Sequence, residues 1–166
     1  KPRDKHPDPW TVTKRNMVDL CDVIKKYYYN PYSYGSNSIK KILPAVLKSS
    51  KLVQDKYSKT IADINVSSLN FKPNHVWLTK ENGKIVSPYN TLPPLYKNLT
   101  QEEVNNTLSE LDHINDGGAA LTAYGKIQYT DMTDTERDEI ALGLKHYCEL
   151  DTLAMVMIYE HLNSLV

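Results

Sequence analysis

The chain has 166 residues, of which 40% are hydrophobic and 24% charged, and its formal net charge is zero. This composition is typical of one soluble globular domain and argues against a disordered or fibrous chain. The longest apolar run, residues 153–159, is far shorter than the roughly 20 residues of a membrane-spanning helix. No apolar leader follows Lys1, so we expect no membrane partner and a cytoplasmic location. Cys21 and Cys148 are too few for a disulfide scaffold and are expected to be half-buried thiols.

Charge is distributed unevenly along the chain. Residues 1–60 contain 13 Lys and Arg against 5 Asp and Glu, whereas residues 61–166 contain 7 against 15. One interpretation is a basic surface for a polyanion beside an acidic region that holds cations. The other is that the two halves pair with each other.

The N-terminal region divides into a tail and the start of a domain. Residues 1–14 are rich in proline and charge and predict a linker or tail, so the domain is expected to cover residues 15–166. A short strand is predicted at residues 16–18. It leads into a helix from Leu20, whose apolar positions recur at helical spacing until Asn30 and the following proline end it.

The next segment predicts helices. Ser38 is a suitable N-cap for a helix that begins at Ile39. Pro44 lies near enough to the start of that helix to kink or reset it without forbidding it. Residues 50–59 are expected to form a polar helix or turn.

A β-hairpin insertion is predicted near residues 75–86. Residues 75–79 and 84–86 have strand character, and Glu81-Asn82-Gly83 joins them with the Asn-Gly pair that favours a tight hairpin turn. Capping signals at Thr100, Asp116 and Thr133 predict three closing helices, the second running toward Tyr129 and the third toward Leu165. The expected fold class is α+β, predominantly helical with a β-hairpin.

Asp151 is the most informative residue of the C-terminal segment because the apolar residues 153–157 follow it closely. The following helix is therefore expected to be buried on most sides. A carboxylate in such a position is partly desolvated unless a cation or donor compensates it. Two interpretations remain open: Asp151 caps a new helix after a break, or it is a metal ligand or acid/base group.

Helical spacing distinguishes two potential partners of Asp151. Tyr147, four residues earlier, shares a face with Asp151 on a continuous helix. His146, five residues earlier, diverges unless the helix breaks. Because a phenol beside a metal-bound carboxylate can orient a water nucleophile, the geometry favours Tyr147 over His146.

The segment 25–34 combines two lysines with five tyrosines, as single-stranded nucleic-acid sites combine cations with aromatic residues. Tyrosines at helical spacing also pack into amphipathic cores, and both interpretations stay open. At the start of the second helix, two lysines together with Ser36 and Ser38 either bind phosphate or serve ordinary capping. The candidate nucleic-acid-binding residues are Lys25, Lys26, Tyr28, Lys40 and Lys41.

Two resemblances follow from these motifs. Tyr147-x-x-x-Asp151 resembles the third motif of the DnaQ-like exonuclease superfamily in its tyrosine form, and His146-x-x-x-x-Asp151 satisfies the histidine form. More closely, residues 15–161 resemble a bacterial family catalogued as a domain of unknown function. The phrases that are similar to that family lie at residues 27–31, 35–40, 43–47, 116–120 and 147–155.

The resemblance implies a partial RNase H-like fold, with residues 15–166 as the C-terminal part of a nuclease domain. Most of its sheet would come from a missing N-terminal part of the same polypeptide. The implied activity is metal-dependent 3′–5′ exonucleolytic cleavage of DNA or RNA with Mg²⁺ or Mn²⁺. Asp151 is then a metal ligand and catalytic residue, and Tyr147 or His146 is its catalytic partner.

The same resemblance implies that the chain alone is inactive. Of the acidic quartet that holds the metal ions in this superfamily, only Asp151 can be carried over, and a lone carboxylate holds Mg²⁺ weakly. The alternative is a non-catalytic module that binds nucleic acid or a protein.

Overall fold

The structure is a computed structural model and describes residues 18–95 and 113–166. The predicted tail at 1–14, the helix predicted from Thr100 and all but Val18 of the strand predicted at 16–18 lie outside the described residues. Within them, the chain is mostly helical with one two-stranded antiparallel sheet, which confirms an α+β, predominantly helical fold. None of the helices in these two ranges has the length and apolar character that crossing a membrane requires.

Three helices form the N-terminal part: α1 (Leu20–Tyr27), α2 (Ile39–Ser49) and α3 (Lys51–Tyr57). α1 begins where the Asp19 side chain accepts a hydrogen bond from the Cys21 backbone N–H at 2.8 Å. It ends shortly before Asn30, as the sequence predicted. A short 3₁₀ turn, Pro31–Ser33, connects α1 to the segment before α2.

α2 provides much of the core. Its residues Ile42, Leu43, Val46 and Leu47 recur at helical spacing and are all buried, which is the pattern of an amphipathic helix. Ser38 is the N-cap residue as predicted, although its side chain makes no capping hydrogen bond. Pro44 lies inside α2, where it lacks the N–H that would bond to the carbonyl of residue 40.

The hairpin is present but much shorter than predicted. β1 (Lys80–Glu81) and β2 (Lys84–Ile85) pair through a two-residue turn. The turn residues Asn82 and Gly83 have φ of 50° and 75°, as a type I′ turn requires. Residues 75–79 form no strand with β2, apart from the Val86 N–H that donates to the Thr79 carbonyl at 3.0 Å. A second 3₁₀ turn, Pro88–Thr91, follows.

Two C-terminal helices follow, and both begin where the capping signals predicted. α4 (Gly117–Tyr129) starts at Asp116, whose side chain accepts from the Ala119 N–H at 2.9 Å. α5 (Asp134–Asn163) has 30 residues and starts with a complete capping box between Thr133 and Glu136. It is continuous through residue 151.

α5 is the axis of the core, since it contacts α2, α3, α4 and the 3₁₀ turn at 88–91. Its buried apolar residues, such as Leu150 and Met157, belong to the same cluster as the core residues of α2. This arrangement brings the first third of the chain against the last third.

Two expectations about burial are wrong. Met155 and Val156 are substantially exposed, so the C-terminal half of α5 is not buried on most sides. The helix is amphipathic here, with Leu153, Ala154 and Met157 on the buried face. Cys21 and Cys148 are free but exposed rather than half-buried, because both lie on the solvent side of their helices.

Candidate functional site

Four side chains from three elements meet around Asp151, and we call them the Asp151 cluster: Lys40, Tyr89, Tyr147 and Asp151. The Tyr89 hydroxyl donates to Asp151 Oδ1 at 2.5 Å. Lys40 Nζ lies 3.6 Å from the same oxygen. The Asp151 side chain is 35% exposed, so the carboxylate is held by neighbours and still reaches solvent.

Tyr147 lies one helical turn before Asp151 on α5, and the two residues share a face as predicted. The Tyr147 ring is buried. Burial, followed by the neighbouring Asp151 carboxylate, raises the pKa of the Tyr147 phenol to about 12. The phenol is therefore neutral at ordinary pH, and its hydroxyl makes a hydrogen bond with Asp151.

Lys40 lies between two aromatic rings. Its Nζ is 3.1 Å from the centroid of the Tyr89 ring and 4.4 Å from that of the Tyr147 ring. It also donates to the Asn115 carbonyl at 3.2 Å. Burial lowers the pKa of Lys40, although Asp151 and Asp116 act in the opposite direction.

Asp151 does not cap a helix, so that interpretation of the sequence is wrong. The backbone around Asp151 belongs to the uninterrupted helix α5, whose N–H groups bond to carbonyls one turn earlier. The carboxylate is compensated by a phenol and an ammonium group from elsewhere in the chain.

His146 lies away from the Asp151 cluster. Its Nε2 is 3.1 Å from the Asn70 carbonyl oxygen. Its ring centroid is 4.5 Å from that of Phe71, which also contacts His75 and Trp77. The divergence predicted for a continuous helix is therefore observed, and the structure brings Tyr147, but not His146, against Asp151.

The candidate nucleic-acid-binding residues fall into different environments. Tyr28 is half-buried, and its hydroxyl bonds to His161 Nε2 and receives a hydrogen bond from Asn30 Nδ2, both at 2.9 Å. Tyr28 thus packs inward, as the alternative interpretation proposed. Lys25 and Lys26 are exposed on α1, and Lys25 Nζ is 3.7 Å from Asp22 Oδ1.

The first turn of α2 separates the two remaining lysines of that set. Lys41 is exposed, whereas the neighbouring Lys40 points into the Asp151 cluster. Lys40 was identified from the sequence as a phosphate contact, and its pairing with Asp151 was not. Tyr89 was missed altogether, because a tyrosine in a proline-rich connection carries no periodic signal.

The donor set around Asp151 does not by itself fit Mg²⁺ or Mn²⁺. These ions prefer several oxygen ligands, usually including carboxylates. Next to Asp151 the described residues provide two phenols and an ammonium group, and that ammonium group repels a cation. In the parts of the chain that the structure describes, no three His, Cys, Asp or Glu side chains are grouped to hold a metal ion.

Comparisons with protein-family models, with curated proteins and with solved structures gave no match. The resemblance to DnaQ-like exonucleases and the RNase H-like assignment therefore stay predictions.

Proposed function

We propose that the Asp151 cluster is one side of a nuclease site of the tyrosine-type 3′–5′ exonuclease class, acting on DNA or RNA. The observation that carries this proposal is the pairing of Asp151 with Tyr147 on one face of α5, with solvent access to the carboxylate. A purely structural ion pair would not need a buried phenol one turn away. The spacing is the one expected for a carboxylate and a water-orienting tyrosine.

The residues of the cluster have complementary roles in this proposal. The neutral Tyr147 phenol donates a hydrogen bond to the attacking water or to a phosphate oxygen. The Lys40 ammonium, held between the two rings, stabilises negative charge on the phosphate. The Asp151 carboxylate accepts the hydrogen bond of the Tyr89 hydroxyl, and this bond fixes the orientation of the carboxylate.

Mg²⁺ or Mn²⁺ chemistry requires carboxylates beyond Asp151. We propose that another part of the same polypeptide supplies them, as the resemblance implies, and we expect this chain alone to be inactive. The ion would activate water and stabilise the leaving oxygen.

The test uses the full natural polypeptide that carries this sequence, with Mg²⁺ or Mn²⁺ and end-labelled oligonucleotides of DNA and RNA. Asp151→Asn is expected to lower the rate of hydrolysis by about a hundredfold or more. Tyr147→Phe, which keeps the ring and removes the hydroxyl, is expected to lower it as well. The control is Asp138→Asn, an exposed position on the same helix, and its rate should match the wild type.

Unchanged hydrolysis in Asp151→Asn would contradict the nuclease proposal. Thermal melting of each variant shows whether a loss of activity reflects unfolding. A variant that melts like the wild type and no longer cleaves supports a role of Asp151 in the site.

A second candidate function is a non-catalytic module that binds nucleic acid or a protein. It is favoured by the close contact of Lys40 with Asp151, because an ion pair already satisfies the carboxylate. In that case the natural polypeptide binds oligonucleotides with a steep salt dependence but releases no nucleotides. Binding without hydrolysis in both metal ions would select this function over the first.

A further inference from the structure

Three tyrosines near the end of α1 are exposed in a way that core packing does not explain. Tyr27, Tyr29 and Tyr34 are 82%, 81% and 83% exposed. Tyr28, between the first two, turns inward and bonds to His161. Single exposed aromatic residues are common, but three within eight positions form a patch of the kind found at binding surfaces.

The backbone that carries these rings is well anchored. Asn30 donates to Ser49 Oγ at 2.9 Å, and its Oδ1 accepts from the Tyr32 N–H at 3.0 Å. Tyr34 and Gly35 have φ of 52° and 76°, so they form a tight left-handed turn. Rings on an ordered segment lose less conformational entropy when a ligand stacks on them.

A groove of about 420 Å³ lies beside the rings. Its lining includes the side chains of Lys25, Lys26, Tyr27, Tyr29 and Asn37. We call this the tyrosine–lysine groove.

The charged residues that line the groove are both cationic, Lys25 and Lys26. Lys25 Nζ also lies 3.7 Å from Asp22 Oδ1, and both of these side chains are more than half exposed. Lys48 Nζ of α2 lies 5.6 Å from the centroid of the Tyr32 ring in the adjacent 3₁₀ turn. Flat rings and cations together match a ligand that offers bases and phosphates, whereas a purely acidic partner would need no rings.

We propose that the tyrosine–lysine groove binds single-stranded nucleic acid, with bases stacked on Tyr27 and Tyr29 and phosphates against Lys25 and Lys26. Duplexes are excluded because their bases are already stacked and paired. Tyr34, on the neighbouring turn, extends the stacking surface.

This inference rests in part on the proposed function and names its substrate as a single strand. Asn37 and Ile42 line the groove. Lys40, from the same turn at the start of α2, contacts Asp151. Residues at and just before the start of α2 therefore contribute to both the groove and the Asp151 cluster.

The experiment measures fluorescence anisotropy of labelled oligo(dT) and oligo(U) of about 12 nucleotides with this 166-residue chain. Tyr27→Ala and Tyr29→Ala are each expected to weaken binding at least about fivefold. Tyr27→Phe and Tyr29→Phe keep the ring and should bind like the wild type. Tyr129→Ala, at the far end of α4 and 91% exposed, is the matched control and should change nothing.

Charge is tested separately. Lys26→Gln is expected to weaken binding of both probes and to reduce the dependence of affinity on salt by about one counterion. A duplex of the same length and heparin serve as competitors. A duplex should compete poorly. Heparin should displace the probe by competing for the lysines, and this displacement should not depend on the tyrosine rings.

The inference is overturned by three results: no binding of either probe, binding that survives removal of both rings, or duplex binding as tight as single-strand binding. Failure here is distinguishable from failure of the nuclease proposal. Hydrolysis that depends on Asp151, without binding in the groove, supports the nuclease proposal and contradicts the groove proposal. Binding in the groove without hydrolysis supports the groove proposal and contradicts the nuclease proposal.

Discussion

Lys40 shows how a single side chain ties distant parts of the molecule together. Its ammonium group contacts a carboxylate and two aromatic rings at once. Partial burial lowers the pKa of Lys40, and the surrounding rings and carboxylate offset part of the cost of desolvating the cation. Its contact with Asp151 joins positions more than a hundred residues apart, which no periodic pattern in one sequence reveals.

The buried tyrosines predict how the chain responds to alkali. Burial is the main reason that the pKa values of Tyr57, Tyr89 and Tyr147 are raised, and for Tyr147 the value is about 12 against an ordinary 10.0. Because the folded state keeps these protons longer than the unfolded state, their contribution to stability is present below pH 10 and is lost as pH rises through about 12.

The lowered pKa of Lys40 has the opposite effect: it makes the free energy of unfolding rise with pH, but only up to the unfolded pKa of 10.5. The free energy of unfolding should therefore fall above about pH 10.5. Phenolate absorbance should show Tyr57, Tyr89 and Tyr147 ionising only together with unfolding. Tyr89→Phe should remove one of these late-titrating groups. Ionisation of all three before unfolding would contradict this assignment.

Among the elements, the helices could be predicted because their signals are local. Asp116 and Thr133 form their capping bonds within one turn of the chain. Pro31 lies shortly beyond the end of α1 at Tyr27, where a proline disfavours further helix.

The hairpin shows why local signals are sometimes insufficient. Its turn was predicted, since Asn82 and Gly83 accept positive φ. The prediction of a strand at residues 75–79 was wrong because the backbone of this segment bonds to residues 57–61 and not to β2. The His75 carbonyl accepts from the Ile61 N–H, and the Leu78 N–H donates to the Tyr57 carbonyl, both at 2.9 Å.

Two helical glycines give a matched pair of opposite predictions. A Cβ at Gly125 in α4 would meet no described heavy atom within 4 Å. Gly125→Ala should therefore raise the free energy of unfolding by about 0.5–1 kcal/mol, because alanine restricts the unfolded chain. A Cβ at Gly143 in α5 would overlap Leu95 Cδ2 and lie 3.2 Å from Ile114 Cδ1.

Gly143→Ala should therefore lower the free energy of unfolding by about 1–3 kcal/mol. Urea denaturation of both variants measures the difference. A stabilising effect at Gly143 would mean that Leu95 moves aside at little cost.

For the whole molecule, α5 organises the fold and the charge. Lys40 pairs with Asp151, and Lys56 Nζ lies 2.6 Å from Glu160 Oε1. Some of the unevenly distributed charges therefore form ion pairs between the basic first third and the acidic last third of the chain. Lys25 and Lys26 remain exposed to solvent, and a basic surface for a polyanion stays a prediction. The sequence suggested both pairing between the halves and a basic surface. Only the tertiary contacts show which lysines are paired and which are exposed.

The connection between α3 and the hairpin is attached to α5 through Glu149. The Glu149 carboxylate accepts hydrogen bonds from Ser68 Oγ, from the Asn70 N–H at 3.0 Å and from Asn70 Nδ2 at 2.6 Å. Glu149→Ala should release this connection and accelerate hydrogen exchange of the Asn70 amide by about tenfold or more. Glu160→Ala, which removes the partner of Lys56, is the control and should leave that amide unchanged. Equal protection in Glu149→Ala and the wild type would show that the anchor is dispensable.

The continuity of α5 makes the relation between Tyr147 and Asp151 a matter of residue count alone. Each residue of an α-helix rotates the next by about 100°. Inserting one alanine between positions 147 and 151 would therefore turn the phenol away from the carboxylate while every loop kept its length. The lengths of the connections around this pair do not set that angle, whereas the number of residues separating the two side chains does.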